Sequence, residues 1–155
     1  VFPGASTATE SFNGSSWTSV NSMNTARRFL SGSGLQTAAL SFGGTPPIST
    51  VTESWNGTSW TTVNSLNTAR QQLASGGTQT ATVAFGGYTG SKTAATETWN
   101  GTAWTSNPTG LASPRGNVAG LGTQTAGLAF GGGSPGNATE EWTGQALQIK
   151  TITVS

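Results

Sequence analysis

Five glutamates and six basic residues carry every formal side-chain charge in this 155-residue chain. Glu10, Glu53, Glu97 and Glu140 recur at spacings of 43, 44 and 43 residues, and Arg27, Arg70 and Arg115 recur with them. Carboxylates serve acid–base catalysis or cation binding when two lie close together with shifted pKa values. Repetition sets equivalent carboxylates about one unit apart, too far for such a pair. Glu140 and Glu141 are neighbours, but on a strand they point to opposite faces. The recurring Glu and Arg are therefore expected to form structural ion pairs or hydrogen-bond networks, partly buried and satisfied.

Other chemistries lack their residues. The chain has no His and no Cys, which removes a Ser-His-Asp triad, a Cys-His dyad and an ordinary zinc site. It has no Asp, so calcium loops of the usual kind fail. The Gly-Gly doublets follow strand-like runs and precede no helix pattern, unlike phosphate loops. Net charge is +1 with 7% charged residues, too weak a field to hold nucleic acid. No apolar run approaches the length of a membrane span, so insertion is not expected. No catalytic residue, metal or cofactor is expected. Asn13, Asn56, Asn100 and Asn137 each begin an Asn-x-Ser/Thr sequence, but turn geometry explains the first three better than glycosylation. The chain opens at Val1 with no leader pattern, as a processed product or a segment of a longer protein would.

The elements that must position these residues repeat with them. Glycine-rich, charge-poor composition can mean disorder, but six Trp and six Phe, mostly at repeating positions, argue for order. Each unit has four strand-like pieces. The first is expected to begin at the arginine: Arg27–Gly32, Arg70–Ser75, Arg115–Gly120. After a turn around Gly34-Leu35-Gln36, Gly77-Thr78-Gln79 or Gly122-Thr123-Gln124 comes a run ending in Phe-Gly-Gly. In the middle copy Val83 and Phe85 alternate with small residues, the period of a strand. The third piece is Thr-Glu-x-aromatic, and the Asn-Gly after it predicts a tight type I′ hairpin. The fourth starts at Trp17, Trp60 or Trp104. Nothing reads as a helix of useful length. A period near 43 residues marks stacked supersecondary units that cannot bury their faces alone.

The order Arg, hydrophobic-Phe-Gly-Gly, Glu-x-Trp-Asn-Gly, Trp resembles the kelch repeat over essentially the whole chain. The wording around Gly-Thr-Gln-Thr-Ala and Ala-Phe-Gly-Gly is also similar to kelch-like repeats of marine bacteriophage structural proteins. The resemblance implies a single all-β domain over residues 1–155, a β-propeller of four-stranded antiparallel blades. A partial blade would occupy residues 1–20, and further blades residues 27–63, 70–106 and 115–155. That makes about three and a half blades, to be completed by further chain or further subunits. Leu147 stands where a Trp is expected, as in an atypical terminal copy. Copper-bearing oxidases of the kelch fold use Tyr, His and Cys ligands that this chain, with one Tyr, lacks.

The function expected is recognition or adhesion on the extracellular surface of a virion, as in a tail fibre. Its partners would be host-surface glycan or other virion proteins. Binding residues of propellers gather on loops at one face. The loops between second and third strands differ most between copies, so Pro46, Pro47, Ile48, Tyr88, Lys92, Ser134, Pro135 and Asn137 are the candidate contacts. The connectors 21–25 and 64–68 would share that face. The alternative is a self-assembly module whose open blade edges, at residues 1–20 and 144–155, pair with other copies. An enzyme is least favoured, for want of catalytic groups.

Overall fold

The computed structural model describes residues 4–133 and 138–144. Short alternating runs broken by Gly, Asn and Thr fold as strands, and no helix occurs among the described residues. Four antiparallel sheets follow one another along the chain. Sheet I holds β1 (Thr9–Phe12) and β2 (Trp17–Val20). Sheet II is a meander of β3 (Ser31–Leu35), β4 (Ala38–Phe42), β5 (Thr52–Trp55) and β6 (Trp60–Val63). Sheet III repeats it with β7 (Ala74–Thr78), β8 (Ala81–Phe85), β9 (Thr96–Trp99) and β10 (Trp104–Ser106). Sheet IV shows β11 (Ala119–Gly122), β12 (Gly127–Phe130) and β13 (Thr139–Trp142). Equivalent strands pair in equivalent register, for example Trp55 with Trp60 and Trp99 with Trp104.

Three sequence expectations are corrected. The arginines do not open the first strands: Arg27 precedes β3 by four residues. Phe29, Gln72 and Asn117, two residues after each arginine, have φ of 55°, 57° and 54°. That left-handed conformation breaks a strand before it can reach back to the arginine. The hairpin after the third strand is also not a two-residue type I′ turn. Residues 56–59 form a four-residue loop closed by Asn56 N–H to the Ser59 carbonyl at 3.3 Å. Only Gly57 of its Asn-Gly pair has positive φ, 91°. The Asn56 side chain decides this, because its Oδ1 accepts from the amides of Thr58 and Ser59 at 2.9 and 2.8 Å. Likewise the turn between first and second strands is Gln36-Thr37 or Gln79-Thr80, with Gly34 and Gly77 still inside the strands. Within the partial unit expected over residues 1–20, the described residues supply β1 and β2, and residues 1–3 lie outside them.

The hydrophobic core consists of layers between successive sheets. Leu40 and Phe42 of sheet II meet Leu73, Ala84, Trp99 and Trp104. Val83 and Phe85, the alternate residues of β8, instead join Val118, Ala129 and Trp142 on the other side. One strand thus serves both neighbouring layers, as its period of two requires. The first strands β3, β7 and β11 lie side by side. Small polar residues there allow direct bonds between sheets: Ser75 Oγ lies 2.8 Å from the Gly32 carbonyl and 2.9 Å from Ser31 Oγ.

Candidate functional site

Each internal glutamate sits at the centre of a polar clamp. Arg27 Nη2 meets Glu53 Oε1 at 2.9 Å, Arg70 meets Glu97 at 3.0 Å, and Arg115 meets Glu140 at 2.5 Å. The second amine of each guanidinium, Nη1, bonds two carbonyls that flank the loop between second and third strands. These are Gly43 and Val51, then Gly86 and Ala95, then Gly131 and Ala138. The carboxylate also accepts backbone N–H groups from the connector leading into the sheet. Asn24 and Thr25 donate to Glu53, Asn67 and Thr68 to Glu97, and Ala112 to Glu140. The tetrapeptide Asn-Thr-Ala-Arg therefore supplies most of the clamp. Its recurrence at 24–27 and 67–70 was the signal in the sequence for a function that the arginine alone did not reveal.

The clamps are dry. Burial pushes the Arg27 and Arg70 guanidinium pKa below its usual value, and Glu53 and Glu97 only partly offset this. The Nε–H of all three arginines is buried without a hydrogen-bond partner. Such groups fix architecture. Glu10 differs from its counterparts in being exposed.

Recurring side chains also tie each sheet to the one before. Gln79 Nε2 reaches Ser54 Oγ at 2.9 Å and the Trp55 carbonyl at 2.5 Å, and Gln124 Nε2 reaches the Trp99 carbonyl. Gln36 bonds Ser11 and Phe12 in the same way. The carbonyls of these glutamines accept the indole N–H of Trp55, Trp99 and Trp142. Trp60 and Trp104 donate to Thr9 and Thr52 of the preceding sheet at 3.0 and 3.1 Å. The expected structural tryptophans are thus graded by neighbours: Trp104 is 6% exposed and Trp17 65%. The glutamines went unnoticed in the sequence because a turn position gives no hint of a partner some 25 residues away.

Loops 45–49 and 88–92 are bonded to the segments that precede the first strands. Thr45 exchanges backbone bonds with Arg28, and Tyr88 with Gln71 at 2.8 and 3.1 Å. Leu66 and Arg70 donate to Thr50 and Ser49. Tyr88 and Ile48 are half-buried, Pro46 likewise, and Pro47 and Lys92 are exposed. The Lys92 ammonium lies over Gly133 of the next unit. Ser134, Pro135 and Asn137 lie outside the described residues. The structure adds three side chains to this face. Phe29 is exposed with the Arg28 guanidinium 5.4 Å from its ring, and Gln72 and Asn117 occupy the equivalent positions. Their amides and carbonyls form a relay, Gln72 N–H to Phe29 at 2.8 Å and Asn117 N–H to Gln72 at 3.0 Å. The signal was the change Phe, Gln, Asn two residues after an otherwise constant arginine.

No protein-family model matches the chain, and no curated protein is found to be similar to it.

Proposed function

We propose that this chain is a non-catalytic recognition scaffold of the kelch-like propeller type, displayed on a bacteriophage virion or tail fibre. The stacked meanders, joined side by side at their first strands, support blades arranged about an axis. The observation that carries the functional part is where the side chains are committed. Three Arg–Glu pairs, each bonded to backbone carbonyls and amides, hold the loops to the sheets. The side chains left to vary, Phe29, Tyr88 and Lys92 among them, then stand on a rigid face. The exposed Phe29 and half-buried Tyr88 suit stacking on sugar rings of a host glycan, or packing on another virion protein.

The test is adsorption of the purified chain to host cells and isolated surface glycans at low and high salt. Binding that survives high salt and falls in Phe29→Ala and Tyr88→Ala is expected, because screening weakens charge attraction and spares stacking. Absence of binding to every host surface, or binding indifferent to both substitutions, refutes it. A self-assembly role is the second hypothesis. It is favoured by β1, which pairs only with β2 among the described strands and leaves one edge open.

A further inference from the structure

We propose that Phe29, Gln72 and Asn117 form a row of adjoining subsites for a neutral, unbranched chain of sugar rings, one side chain to a ring. The inference deepens the recognition function and rests on it. Each of the three residues lies two positions after a clamp arginine, with φ of 55°, 57° and 54°. Every other described residue with positive φ is glycine. A left-handed backbone strains any residue that carries a Cβ, and it suits Phe and Gln less well than Asn. The chain nevertheless keeps a side chain at this position in all three units. Strain held at equivalent places points to a use for those side chains. Packing does not account for it, because Phe29 is 52% exposed, Asn117 is exposed and Gln72 is half-buried. Among the described residues, neither carboxamide makes a hydrogen bond.

The row runs unbroken across the units. Gln72 N–H donates to the Phe29 carbonyl at 2.8 Å, and Asn117 N–H to the Gln72 carbonyl at 3.0 Å. Backbones bonded in this way lie about 5 Å apart, close to the length of one pyranose ring in an extended chain. The Arg28 guanidinium lies 5.4 Å from the centre of the Phe29 ring and holds it from one side. The other side is a flat apolar surface for the C–H face of a sugar. The Gln72 and Asn117 carboxamides each offer two donors and an acceptor, which match neighbouring ring hydroxyls. The surroundings favour a sugar chain over a protein. Of the large exposed apolar side chains, Phe12 and Trp17 belong to sheet I, and Leu35 and Leu121 to β3 and β11. Phe29 stands on the row alone. One ring flanked by carboxamides gives a sugar a face to stack on, but gives a protein no apolar interface core.

The probes are the cello-, malto- and laminari-oligosaccharides, from single rings to hexamers, titrated into the full chain by calorimetry. Urea unfolding of each variant and adsorption to host cells run alongside. At least one series should bind, with affinity rising about tenfold or more from one ring to three. Phe29→Gly, Gln72→Gly and Asn117→Gly should each weaken binding roughly tenfold. None should lower the unfolding midpoint, because glycine takes the left-handed backbone without strain. Equal affinity for one ring and three overturns the row. So does binding that all three substitutions leave unchanged. A midpoint that falls together with binding makes the side chains structural and overturns the proposal as well. If no series binds, the sugar chain is overturned; host cells still adsorbed through Tyr88 then keep the recognition function, and cells not adsorbed refute both. Adsorption lost in Phe29→Gly but untouched by periodate oxidation of the cells assigns the row to a protein partner and overturns the sugar.

Discussion

Replacing Glu97 by Gln tests the clamp where it is most complete. Glu97 is 1% exposed and faces an Arg70 that is fully buried. Its carboxylate accepts from Asn67 N–H at 2.8 Å, Thr68 N–H at 3.2 Å and Arg70 Nη2 at 3.0 Å. Gln keeps the shape and one acceptor oxygen, and turns the other acceptor into a donor facing donors. Two charge-assisted bonds are lost, at about 1.5–3 kcal/mol each. Independently, leaving a buried cation without its partner costs about 3–5 kcal/mol. Both routes lead to about 4 kcal/mol, a large part of a typical domain's stability. With a urea m-value near 2 kcal/mol per molar, the unfolding midpoint should fall by roughly 2 M. Tryptophan emission would follow the transition. Glu10→Gln is the matched control, because the same residue type at the same repeat position is exposed; its effect should stay within about 0.5 kcal/mol. A further Arg70→Met in the Glu97→Gln chain should recover part of the loss, because the orphaned charge is gone. Equal midpoints for Glu97→Gln and Glu10→Gln would refute the view that burial and the clamp's bonds give Glu97 its weight.

Three more outcomes follow from the packing. Trp104→Phe should cost about 1–3 kcal/mol in urea unfolding, since it strips the bond to the fully buried Thr52 hydroxyl, while Trp17→Phe should be nearly silent. Gln79→Ala, which cuts the bonds from sheet III to Ser54 and Trp55, should lower stability by about 1–2 kcal/mol in thermal denaturation without changing the strand signal in circular dichroism. Gly86→Ala should destabilise by more than about 2 kcal/mol, because φ is 64° and a Cβ would sit 2.8 Å from the Arg115 carbonyl. At Gly90, where φ is 119° and the space is open, Ala should cost only the backbone strain, about 1 kcal/mol.

The third and fourth strands were legible to the residue, because Thr-Glu-x-aromatic and the Trp-led piece each carry alternation and end at a turn. Thr52–Trp55 and Trp60–Val63 are the strands that these runs predict. The pairing of Glu with Arg was legible as recurrence, but its geometry was not. The carbonyls that complete each clamp belong to backbone, which repeats without any residue type to announce it, as at Val51, Ala95 and Ala138. The arginine was misplaced onto a strand because left-handed φ at Phe29 or Gln72 has no glycine to mark it. The type I′ turn failed because Asn Oδ1 can satisfy two amides itself and so stabilises a longer loop. Of the loop face, the variable loops at 45–49 and 88–92 were visible, and the exposed Phe29 was hidden in what looked like strand.

The clamp also bears on how such a chain can change length over generations. Arg27 and Glu53 belong to one unit, as do Arg70 with Glu97 and Arg115 with Glu140, whereas the glutamine and fourth-strand tryptophan bonds run between neighbours through equivalent partners. Recombination between two aligned repeats that removes one whole unit of about 43 residues therefore deletes a donor and its acceptor together. It rejoins two surfaces that already match. The same holds for an insertion. Either change keeps each clamp whole and each sheet-to-sheet contact matched.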